Sequence, residues 1–390
     1  MPHKLLPVLL TVVSTLIPPF ARAQSAPDAP VRVGVAGLTH GHVGWILGRG
    51  ERGDIVVVGI AEADRELAAR YAAEYGFSLD LVYESVEEML EATRPEAVTA
   101  FNDVAAHLPT VEAAARQGVH VMVEKPLHFS LDAARRMKAV ADSAGIHLLT
   151  NYETTWYPTT AHAHEIVRSG ELGVLRKIVV RDGHPGPSEI GVGPEFLEWL
   201  TDPARNGGGA LVDFGCYGAN LITWLLDGER PLSVTALTQT LKPDLYPDVD
   251  DEATILLEYV SAQGIIQASW NWPFSRKDME VYGTAGYVLA DNDVDLRVRL
   301  VGGAASGSVD EAGDMDGANL RGSETVRALQ LDRDVPEHLR DPFAYLTAVV
   351  RGQVDPRGSL SSIEVNMVVV EILDAALRSA REGITVVLEE

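Results

Sequence analysis

The sequence predicts an α/β fold in two parts: an N-terminal doubly wound parallel sheet of the Rossmann type and a C-terminal α+β domain with a large, mostly antiparallel sheet. Through residue 150, short apolar segments alternate with helical segments that end at glycine, as in strand–helix–strand units around a parallel sheet. Beyond residue 151, several segments alternate polar and apolar residues and are joined by short connections, as in antiparallel strands.

Five segments of the N-terminal part have the short, apolar and β-branched composition of buried strands. They cover residues 31–36, 55–60, 97–101, 119–123 and 146–150. The helical segments between them are predicted to end at glycines, among them Gly76, Gly118 and Gly145. Ser85 with Glu88 predicts a capping box at one helix start, and Ser130 predicts a cap at another.

Six segments of the C-terminal part have the period-two pattern of strands. They cover residues 177–181, 233–240, 253–259, 265–270, 279–282 and 295–301. A strong helix is predicted over residues 215–226, and a last helix from the capping box Ser361-x-x-Glu364 to Gly383. Residues 302–319, rich in Gly, Ala, Ser and Asp, predict a mobile loop.

Composition restricts the classes of partner. The chain has 390 residues, 56 of them acidic and 32 basic, and its formal charge is −24. The densest basic patch holds only Arg135, Arg136 and Lys138, so we expect neither nucleic acid nor an anionic membrane as a partner, because phosphate binding requires clustered cations. Cys216 is the single cysteine, which excludes a disulfide framework and a thiolate metal cluster.

The amino terminus has the pattern of a secretory signal peptide. Lys4 precedes an apolar run over residues 5–20 that is interrupted by prolines, and Ala21-Arg22-Ala23 follows as a small-x-small cleavage pattern. The run is too short and too rich in proline for a transmembrane helix. We therefore expect an exported protein, periplasmic or secreted, without membrane attachment after cleavage. The predicted division is signal peptide 1–23, linker 24–30, Rossmann domain 31–150 and substrate and oligomerisation domain 151–390.

The segment His120-Val-Met-Val-Glu-Lys-Pro126 runs from a predicted buried strand into a charged pair. Ligands of parallel sheets bind beyond the carboxyl ends of the strands, so Glu124 and Lys125 are predicted to meet a cofactor there. Pro126 ends the strand because proline cannot donate to the ladder. The alternative is a surface ion pair at a strand end.

The first predicted strand leads into a turn with part of a dinucleotide-binding pattern. Such a site needs a glycine turn that lets the pyrophosphate approach, and an acid on the next strand for the ribose hydroxyls. Gly37 supplies the first glycine, and Thr39 and His42 stand at the positions of the second and third glycines, with Gly41 displaced by one. The turn is predicted to bind the cofactor through Gly37, Thr39, His40 and Gly41.

Glu62 ends the second predicted strand, where the ribose-binding acid belongs. A carboxylate there repels a 2′-phosphate by roughly 1–4 kcal/mol at contact, which predicts NAD in preference to NADP. The alternative is a solvated acid at a helix start. His40 and His42 are metal-ligand types, but the sequence places no carboxylate or further histidine at supporting spacing, so no metal is predicted.

Four sequence motifs are similar to those of the Gfo/Idh/MocA family of nicotinamide-dependent oxidoreductases. They are the segments 34–41, 120–126 (HVMVEKP), 207–220 (GGGALVDFGCYGAN) and 374–383. The resemblance covers nearly everything after Val31. It implies a Rossmann domain, a mixed-sheet substrate domain, chemistry in the cleft between them, and homo-oligomers whose sheets associate face to face.

The resemblance also implies roles for individual residues. Lys125 matches the family's active-site lysine beside the nicotinamide and the reacting oxygen, and Asp213 matches its acid. Tyr217 stands where most members carry a catalytic histidine, and Asn220 replaces a frequent aspartate. Tyrosine has an ordinary pKa near 10 and needs a neighbouring cation to act as a base, for which Lys125 is the candidate. Members resembling glucose–fructose oxidoreductase and dihydrodiol dehydrogenases also carry tyrosine here.

Spacing supports this cluster independently. In a continuous helix, Asp213, Tyr217, Asn220 and Trp224 recur at i, i+4, i+7 and i+11 and form one polar stripe. A buried polar stripe indicates that something polar docks there, and an ordinary hydrogen-bonded interdomain contact is the alternative.

Three further residues complete the predicted site. Asn102 follows the third predicted strand and is expected near the cofactor. Tyr152 and Trp156, together with Asn220, are predicted to line a sugar-sized pocket, and core or dimer contacts are the alternative for the two aromatic residues.

These observations lead to one functional hypothesis and two alternatives. We expect hydride transfer between NAD and a secondary alcohol or carbonyl of a small, sugar-like substrate, with Lys125 stabilising the alkoxide, Tyr217 relaying the proton and Asp213 orienting the pair. One alternative is an NAD-dependent glycoside hydrolase or lyase that uses redox chemistry transiently. The other is a non-catalytic binding protein that retains its cofactor.

Overall fold

The computed structural model describes residues 29–50, 52–301, 324–333 and 335–388. The predicted signal peptide and the predicted loop at 302–319 lie outside the described residues. Among the described residues, no helix has the length and apolar content that crossing a membrane would require.

The N-terminal sheet has six parallel strands in the order β3-β2-β1-β4-β5-β6, which is the Rossmann order. The strands are β1 (Val31–Ala36), β2 (Ile55–Ala61), β3 (Val82–Tyr83), β4 (Ala97–Ala100), β5 (His120–Glu124) and β6 (Leu148–Asn151). The helices are α1 (Val43–Leu47), α2 (Arg65–Tyr75), α3 (Val86–Thr93), α4 (His107–Arg116) and α5 (Leu131–Ala144). The predicted parallel sheet is confirmed.

The ends of the helices that pack on this sheet can be compared with the caps that the sequence predicts. Gly76 and Gly145 adopt the left-handed conformation with φ of 78° and 65° and end α2 and α5 as predicted. The Ser85 hydroxyl accepts the Glu88 N–H at the start of α3. Ser130 precedes α5 as predicted but does not cap it with its side chain, and Asp374 of the C-terminal helix accepts the N–H of Leu131, the first residue of α5.

The C-terminal sheet has nine strands in the order β14-β13-β12-β11-β7-β10-β9-β8-β15. Among the strand pairs described in this sheet, β7 and β10 are parallel and the others are antiparallel. The predicted mostly antiparallel sheet is therefore confirmed. The strands are β7 (Leu175–Gly183), β8 (Ser233–Gln239), β9 (Glu252–Glu258), β10 (Gln263–Ser269), β11 (Arg276–Gly283), β12 (Gly286–Ala290), β13 (Asp295–Val301), β14 (Glu324–Gln330) and β15 (Val386–Val387).

Seven helices accompany this sheet in the described part of the chain. They are α6 (Pro158–Ser169), α7 (Pro194–Leu200), α8 (Pro203–Asn206), α9 (Ala210–Asp213), α10 (Gly215–Leu225), α11 (Pro342–Val350) and α12 (Ile363–Glu382). The predicted helix at 215–226 is α10. Ser362 rather than Ser361 caps α12, because its hydroxyl accepts the Val365 N–H while the Ser361 carbonyl accepts the Thr150 N–H of β6.

The C-terminal helices complete the N-terminal core. Phe343 and Leu346 of α11 lie in the same apolar cluster as β1, and Val370 of α12 lies in the cluster of β4 and β5. A parallel sheet needs apolar cover on both faces, and residues 31–150 do not supply all of it. The N-terminal core therefore extends beyond the predicted boundary at residue 150.

Gly37 provides a test of how the β1–α1 turn is built. Its φ is +82°, and a Cβ at this position would lie 2.9 Å from the Cα of Asn102. We expect Gly37→Ala to lower the free energy of unfolding by about 1–3 kcal/mol, because it combines a left-handed backbone with a clash against main chain. Urea unfolding measures this change.

Gly41→Ala in the same turn is the matched control. Its φ is not positive, and a Cβ there would have no neighbour within 4 Å. We expect its free energy of unfolding to stay within about 0.5 kcal/mol of wild type. Equal losses in the two variants would contradict this account of the turn.

Candidate active site

A cavity of about 510 Å³ lies between the carboxyl edge of the Rossmann sheet and the C-terminal sheet. Its wall contains Lys125, Asp213 and Tyr217, the three predicted catalytic residues. Lys125 follows β5, Asp213 ends α9, and Tyr217 lies in the first turns of α10. The structure therefore brings these three predicted residues together in one cavity.

The Lys125 ammonium and the Asp213 carboxylate form a buried ion pair. Nζ lies 2.5 Å from Oδ1 of Asp213 and 3.2 Å from its carbonyl oxygen, and the two side chains are only 6% and 5% exposed. The Trp270 indole N–H donates to the other carboxylate oxygen, Oδ2, at 2.9 Å. Asp213 is thus held by both partners, and it fixes the direction of the ammonium.

Both members of the pair stay charged despite their burial. Burial alone would lower the pKa of Lys125, but the adjacent Asp213 outweighs it and raises this pKa above its ordinary value. Burial alone would raise the pKa of Asp213, but Lys125 and His184 outweigh it and lower this pKa. A permanent cation therefore faces the cavity.

Tyr217 lies between two cations. The ring centroid is 5.3 Å from Nζ of Lys125 and 4.9 Å from Nζ of Lys277, and its hydroxyl has no hydrogen-bond partner among the described residues. Burial, with Glu153 next in effect, raises the pKa of Tyr217 well above its ordinary value. Burial and the nearby carboxylates therefore decide the direction of this pKa shift, although two cations lie close to the ring. Tyr217 keeps its proton.

Glu124 does not line the cavity, although it was predicted to bind the cofactor. Its carboxylate is 2% exposed and accepts from the Asn151 amide at 2.5 Å and pairs with Nδ1 of His42 at 3.1 Å. Burial alone would raise the pKa of Glu124, but His42 and the other partners outweigh it and lower this pKa to about 2. Glu124 is a positioning residue that anchors the backbone next to Lys125.

The β1–α1 turn has the features that a dinucleotide requires. Gly37 packs directly on Asn102, so a side chain there would fill the space. Glu62 follows β2 and its two carboxylate oxygens accept from the backbone N–H groups of Leu38 and Asp64, each at 3.0 Å. Carboxylate oxygens have further acceptor capacity, which the ribose hydroxyls can use. The buried Oδ1 of Asn102 has no partner among the described residues and is available for a ligand.

The remaining residues of the turn have different surroundings. Thr39 donates its hydroxyl hydrogen to the Phe101 carbonyl at 3.3 Å, so this side chain is used within the fold. His40 and Gly41 line the cavity, and His40 packs on the ring of Phe196 with centroids 4.7 Å apart. Burial lowers the pKa of His40 well below its ordinary value. It is therefore a neutral side chain at neutral pH.

The fold brings the Glu124 carboxylate, which is distant in the sequence, close to His40 and His42. Potential ligand atoms of His40, His42 and Glu124 lie within 4.8 Å of one another. These groups are already bonded to each other, since Glu124 pairs with His42 and Nδ1 of His40 accepts the His42 N–H. The proton of neutral His40 then lies on Nε2, which opposes metal ligation, and we assign no metal to this cluster.

The three predicted substrate residues do not line this cavity. Tyr152 is fully buried and meets the Tyr217 ring edge-on, with centroids 5.4 Å apart. Asn220 is also fully buried, and its amide donates to the Leu360 carbonyl at 2.9 Å. Trp156 lies in the wall of a second cavity. The prediction chose Tyr152 and Trp156 as aromatic residues and Asn220 as a member of the helical stripe, whereas packing places Tyr152 and Asn220 in the core.

The predicted stripe fails for a specific reason. The helix is interrupted at Phe214, so Asp213 ends α9 and Tyr217 belongs to α10. Asn220 donates to the Leu360 carbonyl and Trp224 to the Gly358 carbonyl, and none of these residues lines the cavity. Only the first two members of the stripe reach the cavity.

Sequence reasoning missed several polar residues of the cavity, among them His184, Lys277 and Glu153. Lys277 on β11 pairs with Glu153, and burial lowers the pKa of His184 below its ordinary value. His184 follows directly on β7, and that position at a strand end is the one sequence signal that marks it.

A Rossmann sheet with a dinucleotide turn, joined to a buried lysine–aspartate pair and a tyrosine, defines a nicotinamide-type oxidoreductase fold. Residues 31–152 match the Gfo/Idh/MocA oxidoreductase family with its NAD-binding Rossmann fold, and residues 160–289 match the Gfo/Idh/MocA C-terminal domain. The chain belongs to the Gfo/Idh/MocA family.

Known proteins show how this chain relates to the family. It is 28% identical over 236 residues to the D-xylose 1-dehydrogenase [NADP(+)] of Haloarcula marismortui. The aligned region covers 59% of this chain and 63% of that enzyme, so the match spans slightly less than two thirds of the enzyme's length. It is 28% identical over 259 residues to the trans-1,2-dihydrobenzene-1,2-diol dehydrogenase of Oryctolagus cuniculus, covering 64% of this chain and 72% of that enzyme. An inositol dehydrogenase homolog from Azotobacter vinelandii, complexed with NAD+, has the same fold, with a TM-score of 0.75, 19% identity and coverage of 94% and 100%.

The Lys125–Asp213 pair can be tested through stability. Lys125→Met leaves the Asp213 carboxylate buried without its cation, and we expect it to lower the free energy of unfolding by about 3–5 kcal/mol. Because the pKa of folded Asp213 is depressed, this contribution is present above the ordinary aspartate pKa and is lost as pH falls through the folded value. Urea unfolding at neutral pH measures it.

A double-mutant cycle with Asp213→Asn isolates the pairwise part. We expect a coupling energy of about 1–3 kcal/mol, since the double variant no longer buries a lone charge. The exposed pair Lys138–Asp142 on α5 is the control, and Lys138→Met should cost less than about 1 kcal/mol. Additive losses for Lys125 and Asp213 would show that the two do not interact.

Proposed function

We propose that the protein transfers hydride between NAD and a secondary alcohol or carbonyl carbon of a sugar-like substrate. The observation that carries this proposal is the Lys125 ammonium, which Asp213 holds 5.3 Å from the centre of the Tyr217 ring in a cavity at the ligand edge of the Rossmann sheet. The relatives named as a xylose dehydrogenase and a dihydrodiol dehydrogenase support it. When bound, the nicotinamide supplies the hydride donor or acceptor.

Lys125 stabilises negative charge on the reacting oxygen. An alkoxide develops when the alcohol loses its proton or when hydride attacks the carbonyl carbon, and a preorganised cation stabilises it strongly. Asp213 does not touch the substrate in this scheme. It keeps the ammonium charged and aimed, and Trp270 keeps Asp213 in place.

Tyr217 supplies or relays the proton. Because the phenol keeps its proton at neutral pH, it is suited to donate to the oxygen during carbonyl reduction. In alcohol oxidation it accepts the substrate proton only as it passes its own proton on. Water that enters the cavity accepts that proton, because His184 in the same wall uses Nδ1 to accept the Gly186 N–H and carries its ring proton on Nε2.

The cavity suits a small polyol. About 510 Å³ is within the usual range for a small-molecule site. Glu153, His184 and Asn292 present polar groups from the C-terminal half, while Phe196 and Leu200 of α7 supply apolar wall. This mixture matches a sugar ring, which has hydroxyls at its rim and C–H groups on its faces. No contact in the described cavity favours the glycosidase or the binding-protein alternative, and we do not retain them.

We propose NAD rather than NADP as the cofactor. The Glu62 carboxylate accepts from Leu38 and Asp64 at the end of β2 and would face a 2′-phosphate with like charge. Relatives of both kinds exist, since the xylose dehydrogenase is named for NADP+. The preference therefore rests on Glu62.

We also propose a homo-oligomer that forms through the open face of the nine-stranded sheet. Leu237 of β8 and Leu256 of β9 are 66% and 48% exposed on this face, and Ile265 of β10 is the register partner of Leu256. Exposed apolar residues in neighbouring strands are typical of contact surfaces. Light scattering of the purified protein should give at least twice the chain mass, and a monomer would contradict the proposal.

We propose that residues 1–23 direct export and are removed. An exported enzyme has no cytoplasmic pool of cofactor to draw on, so the cofactor would be bound before export and regenerated in place by a second substrate. The mature protein recovered from outside the cytoplasm should begin at Gln24, and an intact Met1 would contradict cleavage.

The proposed reaction is tested by the absorbance of reduced nicotinamide with NAD and a panel of aldoses and inositols that includes D-xylose. We expect Lys125→Met to lower kcat/KM by about 10²–10³-fold, because it removes the cation that stabilises the alkoxide.

Tyr217→Phe should lower kcat by about 10²–10⁴-fold through loss of the proton donor. Lys138→Met, on the outer surface of α5, is the control for loss of a lysine and should keep the wild-type rate. Undiminished turnover in Lys125→Met would rule out the proposed mechanism.

The cofactor preference is tested by calorimetric titration with NAD and NADP. We expect Glu62→Gln to shift the ratio of the two dissociation constants toward NADP by about 10-fold, because like-charge repulsion is removed. Glu66→Gln, an exposed acid in the first turn of α2, should leave the ratio unchanged. Tighter binding of NADP than NAD by the wild-type protein would contradict the role of Glu62.

A further inference from the structure

A second cavity of about 570 Å³ lies next to the catalytic one and has no role in the reaction above. It is bounded by residues of α1, the segment before α6, and residues 333, 335 and 340–343. We propose that it is an accessory subsite for the distal, negatively charged unit of an extended sugar substrate. The inference rests on the proposed function for the unit that occupies the catalytic cavity.

The two cavities share part of their walls. Glu153, Tyr157 and Asp293 line both of them. The shared wall is held by Lys277 and by the Tyr157 hydroxyl, which both bond to the Glu153 carboxylate. A ligand longer than one sugar ring that starts at Lys125 therefore has the second cavity as the neighbouring space.

The second cavity offers aromatic surface to a sugar ring. Trp45 and Trp156 are half-buried in its wall. Trp45 stacks on His42 with centroids 3.8 Å apart, and the Trp156 indole N–H donates to Asn151 at 2.9 Å. These contacts lock both rings in place before a ligand arrives, which reduces the entropy lost on binding.

The charge of the wall selects an anion. Arg49 and Arg52 both bind Asp341, with Arg49 also paired to Asp54, and Arg333 pairs with Asp293. Each of these carboxylates thus has a cation partner.

Arg340 lines the same cavity and, within the part of the chain that the structure describes, its guanidinium has no hydrogen bond or ion pair. The chain has a formal charge of −24, yet the Arg340 guanidinium adds to the wall of this cavity a positive charge that no paired carboxylate among the described residues neutralises. Guanidinium binds carboxylate and phosphate groups through paired N–H donors. The proposed ligand is therefore a sugar unit that carries one of these groups, with Arg340 as the principal contact and Arg52 beside it.

Calorimetric titration of the NAD-loaded protein with three disaccharides tests the subsite. The probes are cellobiose, its analogue with a terminal glucuronate, and its analogue with a terminal 6-phosphate, so that neutral, carboxylate and phosphate forms are compared. We expect at least one charged probe to bind at least 10-fold more tightly than cellobiose at low salt, with the difference shrinking as salt screens it. The better charged probe identifies the anionic group.

Arg340→Gln should abolish this discrimination, and Arg52→Gln should reduce it. Both side chains are exposed, so we expect the variants to fold. Arg135→Gln, another exposed arginine that lies on α5, is the matched control and should keep the full discrimination. Equal binding of charged and neutral probes, absence of binding by all three, or discrimination that survives in Arg340→Gln would overturn the proposal.

Nicotinamide absorbance assays on the wild-type protein, run beside these titrations, separate this proposal from the proposed reaction. If discrimination through Arg340 persists while no nicotinamide chemistry is found for wild type, the subsite stands and the reaction is wrong. If nicotinamide is reduced or oxidised but the discrimination is missing, the reaction stands and the subsite is wrong.

Discussion

The buried ion pair between Lys125 and Asp213 is the interaction on which the rest of the site depends. An ammonium at this depth is costly unless a carboxylate accompanies it, and the two residues are contributed by opposite sides of the cleft, 88 positions apart. The pair therefore joins the end of β5 to α9 across the cleft. It also determines the chemistry, because it leaves a fixed positive charge in the cavity wall.

A second network surrounds that pair and connects it to the cofactor turn. Glu124 is the centre of this network, since it bonds to His42 of the turn and to Asn151 at the end of β6. Asn151 in turn accepts from Trp156 in the neighbouring cavity. The side chains that position Lys125 thus extend from the dinucleotide turn to the second cavity. A ligand in the second cavity contacts Trp156, which is connected to the Glu124 carboxylate through Asn151.

Local patterns in the sequence predict the parts of this structure that local interactions decide. The alternation of strands and helices predicts the Rossmann sheet, and the strand that ends in Glu124 and Lys125 predicts where its ligand edge lies. Glycine signals at Gly76 and Gly145 place helix ends because only the backbone is involved. The pairing of Lys125 with Asp213 followed from family motifs rather than from spacing, since the helix that would have linked Asp213 to Asn220 is interrupted at Phe214.

The residues that sequence reasoning missed depend on long-range pairing. Lys277 reaches the cavity only because β11 pairs with β7, in a register set by strands far apart in the chain. His40 and His42 acquire a carboxylate neighbour from β5, which no local spacing reveals. The protonation of Tyr217 is a property of burial and nearby carboxylates, which an isolated tyrosine beside a lysine does not show.

The most direct test of the central claim is the pKa of Lys125 itself. A titration followed by NMR of lysine side chains labelled with nitrogen-15, with Lys125→Met to assign the signal, reports whether this amine is a held cation. The account predicts that its pKa lies above the ordinary lysine value and falls when Asp213 is replaced by Asn. A Lys125 amine that loses its proton near neutral pH would contradict the account, because it would then be a base and not a fixed positive charge.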